Sequence, residues 1–527
     1  MNNLQQLDSL AAHSDVYRDS QRVAIIDMGS NSFRLIVMEY VPRLSFKMVD
    51  EVRESVRIGE GMAQMDVLRP AAMDRAVRAA QIYASFCQSS GIQDILVAGT
   101  SAIRDARNQS RYIERVAREA GLNVRVLSEK EEAYYGYLAA VNSTTLQNGY
   151  VVDLGGGSMQ ITRVENRLST HSVSFPIGAV RLTEGFLKSD PATKHEIDQL
   201  SDHLRARFHS LDWFSYEDGM TVIGEGGTLR LIGHLIQKRT GYPLGWLHGY
   251  TMPIEQIEAV RDDLAKLSVA QRSKVAGMKP DRADISLAGA VAIHEVLKAG
   301  GFDAMTICSQ GLREGLFYER FFEAPAGETP LFADVRRASV LNLAHLYRFQ
   351  EHHAEHIARL TLSMFDQMPA ERMQCGAGER EILWAASMLH DIGVSVDYHD
   401  HHKHGSYLIT NAGLPSYSHR EIALIALLVR YHRKGKPTPD ELAELLEPDD
   451  DGRLLQMCAF LRLAEQLDRA RDGLVRDVRL HVNDGLAQME LITRGDETVA
   501  LWSAARHVDI FEQAFGLPLE LVAVPED

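Results

Sequence analysis

The chain has 527 residues, more than one hydrophobic core organises, so two to four domains are expected. Its 56 Lys and Arg stand against 72 Asp and Glu, a net charge of −16. That balance argues against a protein that coats nucleic acid, and a polyanionic ligand would need a local basic channel.

Residues 1–21 are polar and read as a mobile tail without a signal peptide. From Val23 short strands and helices alternate. Apolar runs predict strands at 23–28, 33–40, 95–98 and 124–127, and periodicity predicts helices at 70–88 and 109–120. These make a first α/β domain over 22–137, and a second over 138–322. The second holds the turn Gly224-Glu225-Gly226-Gly227-Thr228, which opens a helix, and Ser309-Gln310-Gly311-Leu312-Arg313-Glu314-Gly315 near its end. A Pro- and Gly-rich break, Ala324 to Pro330, follows. Residues 330–471 read as a helical domain rich in histidine, interrupted by the loop Lys436-Pro437-Thr438-Pro439. Strands return at 478–482, 487–492 and 519–524, which predicts a small α/β module over 472–527. The longest apolar run, Ile422 to Val429, is too short to span a bilayer. Cys87, Cys308, Cys375 and Cys458 form no CxxC pair and fit a reducing cytosol.

The stretch with most chemistry is Val151-Val152-Asp153-Leu154-Gly155-Gly156-Gly157-Ser158-Met159-Gln160-Ile161. It reads strand, tight turn, strand. Its glycines allow close backbone approach to an anion, and its acid suits a hydrated Mg²⁺. Val23 to Leu35 repeats the pattern with Asp27, Gly29, Ser30, Asn31 and Ser32. Two such hairpins predict a duplicated α/β unit with one phosphate site between the copies. Arg104, Arg107, Arg111, Arg115 and Arg118 recur at helical spacing, with Ile113, Val116, Ala117 and Ala120 opposite them. The ordinary reading of the last three arginines is a solvated face. Arg104 ends a strand-and-turn segment, where α/β sheets place ligand groups. Glu129, Glu131 and Glu132 open a helix. They read either as an acid cluster at a helix N-terminus or as the source of a base that orients water.

Asp27 to Arg34, Gly99-Thr100-Ser101-Ala102-Ile103-Arg104, Glu131-Glu132-Ala133, Asp153 to Ser158 and Gly311 to Gly315 occur in one order. Together they resemble the exopolyphosphatase / guanosine pentaphosphate phosphatase family in its long form. The resemblance implies a pair of actin-like, sugar-kinase-like domains with the site in their cleft. It implies Mg²⁺-dependent removal of the terminal phosphate of inorganic polyphosphate or pppGpp, with Mn²⁺ as a substitute. It carries the catalytic glutamate over to Glu132, and the phosphate-loop acids, as metal-site residues, to Asp27 and Asp153. Arg104 would neutralise phosphate oxygens, and Gly29 to Ser32 and Gly155, Gly156, Gly157 and Ser158 would hold the terminal phosphate. A cytoplasmic homodimer is implied as well.

Met388-Leu389-His390-Asp391-Ile392-Gly393 resembles the HD-type metal phosphohydrolase fold. An HD-type site here would use His353, His390, Asp391, His404, His432 and Glu465. That fold usually closes its site with Asp in an Ala-Asp pair, whereas this chain has Ala464-Glu465. A basic run, Arg430, His432, Arg433, Lys434 and Lys436, reads as an exposed turn or, with His401 to His404, as a polyanion track. The expected function is therefore an exopolyphosphatase, with pppGpp hydrolysis as the alternative. An ATP-dependent kinase on the same fold and a non-enzymatic polyphosphate or nucleotide sensor are the more distant rivals.

Overall fold

The computed structural model describes residues 20–62, 66–323, 327–483 and 485–526. The expected tail lies outside them up to residue 19, as do residues 324–326 of the expected break. The chain divides into two compact units. One comprises residues up to 242 with 247–335, and the other comprises 336 onward with Pro243–Trp246.

The first unit holds two sheets of the same design. Strands β1 (Gln21–Met28), β2 (Phe33–Val41) and β3 (Ser45–Glu54) form an antiparallel meander. β4 (Asp94–Gly99) and β5 (Arg125–Val126) extend it in parallel, giving the order β3-β2-β1-β4-β5. In the second sheet β6 (Gly149–Leu154), β7 (Met159–Glu165) and β8 (Leu168–Phe175) form the meander. β9 (Thr221–Glu225), β10 (Thr251–Pro253) and β11 (Ala304–Ile307) complete the order β10-β11-β9-β6-β7-β8, with β9 parallel to β6 and to β11. Val23 to Ile26 of β1 are fully buried, which explains a continuous apolar run rather than an alternating one. β3 and β8 escape the sequence reading because they are polar, largely exposed edge strands, a common way to keep sheet edges from pairing.

The helices fix where the turns of the sheets meet. Helix α1 (Pro70–Ser89) starts with proline at its first position, where the missing N–H costs nothing. Helix α2 (Gln109–Ala120) buries Tyr112 and Val116, while Ala117 is exposed, contrary to expectation. Arg104 closes a separate one-turn helix, Ser101–Arg104, so the arginine series does not share one helix. Arg115 and Arg118 pair with Glu119, as a solvated face would. Helix α3 (Glu129–Val141) begins with a Ser128–Glu131 capping box, a device that contributes about 1 kcal/mol. Helices α4 (Gly227–Thr240), α5 (Ser286–Gly300) and α6 (Leu312–Phe322) follow. Tyr135 and Leu138 of α3 share one core with Leu316 and Phe317 of α6, Val23 and Ile25 of β1, and Val151 of β6. α3 is thereby wedged between the two sheets, with its N-terminus at their turns.

The second unit is mainly helical, with α7 (Glu351–Gln367), α8 (Ala377–Leu389), α9 (His401–Ala412), α10 (His419–Tyr431) and α11 (Asp450–Leu467). β12 (Val475–Val482), β13 (Ala487–Thr493) and β14 (Leu519–Pro525) form a small sheet. β13 and β14 are parallel, and two short helices, Thr498–Ala505 and Val508–Phe515, make the crossover that parallel pairing requires. No helix among the described residues is long and apolar enough to cross a membrane.

Candidate active site

The two hairpin turns face one cleft. Asp27 pairs with Arg34 and Met28 with Phe33 across β1–β2, so residues 29–32 form the first turn. Asp153 pairs with Gln160 and Leu154 with Met159, so residues 155–158 form the second. Gly29 to Ser32, Gly155, Gly156 and Ser158 line the cleft with Asp27, Asp153, Thr100, Ser101 and Glu132. The glycines are there for close approach. A Cβ on Gly157 would stand 2.5 Å from Ser101 Oγ and 2.6 Å from Ser30 Oγ. Those two hydroxyls are themselves 3.0 Å apart, so the turns and the β4 end form one polar rim.

Glu132 lies at this junction, on the first turn of α3, 8% exposed. Arg104 Nη1 donates to its Oε2 at 2.6 Å and to the Leu127 carbonyl at 3.1 Å. Ser158 Oγ donates to Oε1 at 3.3 Å, while Gln160 Nε2 donates to that hydroxyl at 2.9 Å. The Gln160 bond occupies an acceptor position on Ser158 and leaves its proton for Glu132. Burial raises the Glu132 carboxyl above the usual range, and the Arg104 guanidinium works against that rise. Glu131, the adjacent acid, is spent otherwise. Its carboxylate accepts from Ser128 N at 2.8 Å and pairs with Arg125 at 2.5 Å.

Three more acids crowd the floor. Burial raises Asp27, against the pull of Arg313 and Arg34. Burial first, then the Glu132 and Asp27 carboxylates, push Asp153 up to about 7. Glu225 pairs with Asp153 in parallel register and is fully buried. Burial and the Asp153 carboxylate hold its carboxyl well above the usual range. Carboxylates that repel each other at the edge of an open cleft are a fit for a divalent cation. An all-oxygen donor set suits a hard ion such as Mg²⁺ or Mn²⁺. Asp27 and Asp153 are the residues that would hold it.

Four cleft arginines carry no role in the sequence reading: Arg34, Arg230, Arg282 and Arg313. Burial, then Arg230 and Arg313, lower Arg34 to about 9. Burial, then Arg53 and Arg230, lower Arg282 to about 10. Arg34 and Arg313 both approach Glu51, at 3.6 and 3.1 Å, and the four guanidinium groups make the cleft lining of this −16 chain locally basic. Arg34 and Arg313 sit inside the Asp27 to Arg34 and Gly311 to Gly315 motifs, so the sequence does signal them. Arg230 follows the Gly226-Gly227-Thr228 turn by two residues, and Arg282 lies in a short 3₁₀ turn that no pattern marks.

In the second unit His353, His390, Asp391, His432 and Glu465 converge, but His404 is outside the group and His401 takes a place in it. The two histidines are three residues apart on α9, where His401 and His402 are buried and His404 is half-buried. Of the basic run, Arg430 pairs with Asp440 at 3.5 Å and Arg433 stacks over Tyr398 at 5.3 Å, while Lys434 and Lys436 are exposed.

The Ppx/GppA phosphatase family matches residues 36–323, and domain III of that family matches residues 335–498. The crystal structure of the Aquifex aeolicus member of the Ppx/GppA protein family is 27% identical, with a TM-score of 0.50, over 58% of this chain and 98% of that one. An exopolyphosphatase from Cytophaga hutchinsonii is 24% identical, with a TM-score of 0.53, over 58% of this chain and 100% of its own. At that identity the second likeness speaks to the fold alone.

Proposed function

The chain belongs to the Ppx/GppA phosphatase family, and from that premise we propose that its cleft hydrolyses the terminal phosphate of inorganic polyphosphate. The observation that carries this reading is the cleft wall. Four arginines, two hydroxyl- and glycine-rich turns and one buried glutamate line it, and the apolar lining is only Leu154, Ile285 and Leu312. Among the described residues no aromatic ring lines it. A guanine ring would be stacked or covered by apolar surface, whereas a chain of phosphates needs only charge and hydrogen-bond donors. The same wall disfavours a nucleotide-dependent kinase.

In this reading the turns at 29–32 and 155–158 hold the terminal phosphate with backbone N–H and hydroxyl donors. Ser158 and Arg104 fix the Glu132 carboxylate, which accepts a proton from the attacking water. The water oxygen bonds to the terminal phosphorus as the bridging P–O bond breaks. The shortened chain leaves with the electron pair, and its charge is met by Arg34, Arg230, Arg282 and Arg313. A divalent cation at Asp27 and Asp153 would add charge neutralisation of the phosphoryl oxygens.

The test is phosphate release from homogeneous polyphosphate, pppGpp and ATP under one set of conditions. The reading expects the highest kcat/KM on polyphosphate. A preference for pppGpp would move the chain to the other branch of the family's chemistry, and turnover confined to ATP would overturn the proposal.

A further inference from the structure

One short helix ties the second hairpin turn to the far side of the cleft. Helix Ala179–Phe186 begins directly behind the 155–158 turn. Ala179 N donates to the Gly155 carbonyl at 3.0 Å, and Val180 N donates to the Gly156 carbonyl at 2.9 Å. Gly178 precedes them, and a Cβ there would stand 2.3 Å from Gly156 C and from Gly157 N. The start of this helix is therefore fastened to the backbone of the turn, with no room for a side chain between them.

Arg181 reaches from that helix to the end of β4. Its Nη2 donates to Asp105 Oδ2 at 2.5 Å, in a part-buried pair. Asp105 directly follows the one-turn helix Ser101–Arg104, and its Oδ1 lies 3.4 Å from Arg104 Nε. That Nε is buried without a hydrogen-bond partner, so Asp105 holds it through charge. The same guanidinium donates from Nη1 to Glu132 Oε2 at 2.6 Å. Glu132 Oε1 in turn accepts from Ser158, the last residue of the 155–158 turn. The contacts close a ring that runs from the turn through the helix, Arg181, Asp105, Arg104 and Glu132 and back to the turn.

We propose that Arg181 and Asp105 are positioning residues that tie the orientation of Glu132 to the seating of phosphate in the 155–158 turn, a role that rests on the reading of Glu132 as acceptor of the water's proton. Neither residue lines the cleft, so both act through Arg104 rather than on substrate. A guanidinium is a rigid planar fork. Held by Asp105 at Nε and by the Leu127 carbonyl and Glu132 at Nη1, Arg104 cannot rotate without loosening Glu132. Arg181 holds Asp105 and takes its own place from the turn. Phosphate that shifts the turn therefore shifts the grip on the carboxylate, and a misplacement of about 1 Å costs about 10²-fold in rate. The same helix makes a second crossing, where Gly61 N donates to Glu184 Oε1 at 3.0 Å. That link reaches the segment after β3 rather than Asp105, so it separates a general tie across the cleft from a specific hold on Arg104.

The experiment is phosphate release from homogeneous polyphosphate by the full chain at saturating Mg²⁺. Arg181→Met should lower kcat about tenfold to 10²-fold with KM changed little, and Arg181→Lys should recover most of the loss. Added to Glu132→Gln, Arg181→Met should lower kcat by less than about twofold, because the group it positions is already disabled. Glu184→Met should keep the wild-type kcat. Should Arg181→Met not fold, Asp105→Asn serves, with the same expected fall and the same silence beside Glu132→Gln. If Glu132→Gln loses turnover while Arg181→Met and Asp105→Asn keep it, the positioning role alone is refuted. A Glu132→Gln protein near the wild-type rate would remove the base reading, and this role with it. An equal loss in Glu184→Met, a rise in KM alone, or a fully additive loss in the double variant would overturn the link to Glu132.

Discussion

Glu131 and Glu132 are adjacent in sequence and do opposite work, and charge alone does not tell them apart. The capping box separates them, because Ser128 followed three residues later by Glu131 assigns that acid to the helix start. Glu132 points at Arg104 and Ser158 instead. Its carboxyl is raised by burial and lowered by Arg104, and a base works only when ionised. Arg104→Met removes the lowering influence, so the acid limb of the pH profile of kcat/KM should move to higher pH. A limb that stays in place would detach Arg104 from Glu132 in function. Asp153, pushed up to about 7 among other carboxylates, is relieved by a cation. Asp153→Asn should therefore raise the Mg²⁺ concentration for half-maximal rate by about tenfold or more. An unchanged Mg²⁺ titration would remove Asp153 from the metal site. His404 shows where residue reading fails. Its spacing from the other histidines is as plausible as that of His401, and only the packing of α9 chooses between them.

At the scale of elements, the duplicated hairpins were legible because β1 and β6 are buried on both faces and each ends in acid, glycine and hydroxyl. The parallel neighbours β4 and β9 complete the repeat, and the matched turn registers show that the echo in sequence is an echo in geometry. The edge strands β3 and β8 were illegible because their apolar residues are interrupted by polar ones and no long apolar run marks them. The Gly224 to Thr228 turn reads in sequence as a helix start, and the reason for its glycines is local. Gly226 adopts φ +102° and ψ 162°, a region open essentially to glycine. A Cβ there would meet the Leu154 carbonyl oxygen at 2.4 Å and Asp153 Oδ1 at 2.9 Å. Gly226→Ala should cost on the order of 1–3 kcal/mol of stability in denaturant unfolding. It should cost turnover as well, because the strain is relieved against Asp153. An alanine variant of wild-type stability and rate would mean that this contact is not needed.

For the whole molecule, the sequence posed a conflict between a net charge of −16 and a polyanionic substrate. The fold resolves it by assembling Arg34, Arg230, Arg282 and Arg313 from segments far apart in the chain, which no linear pattern could announce. Each phosphate contact releases condensed counterions, so KM for polyphosphate should climb steeply with salt while kcat changes little. The run Arg430, Arg433, Lys434 and Lys436, whose sequence reading includes a polyanion track, has a separate signature. Neutralising all four should lower kcat/KM on long polyphosphate and spare short chains, and an equal effect on both lengths would dismiss the track. The central claim, that water attack is organised by the glutamate at the meeting point of the two turns, is tested most directly by one comparison. Phosphate release from homogeneous polyphosphate is measured for the wild-type chain and for folded Glu132→Gln at saturating substrate and Mg²⁺. The account predicts a fall in kcat of about 10²–10⁴-fold with KM changed little. A Glu132→Gln protein that turns over at near the wild-type rate would contradict it.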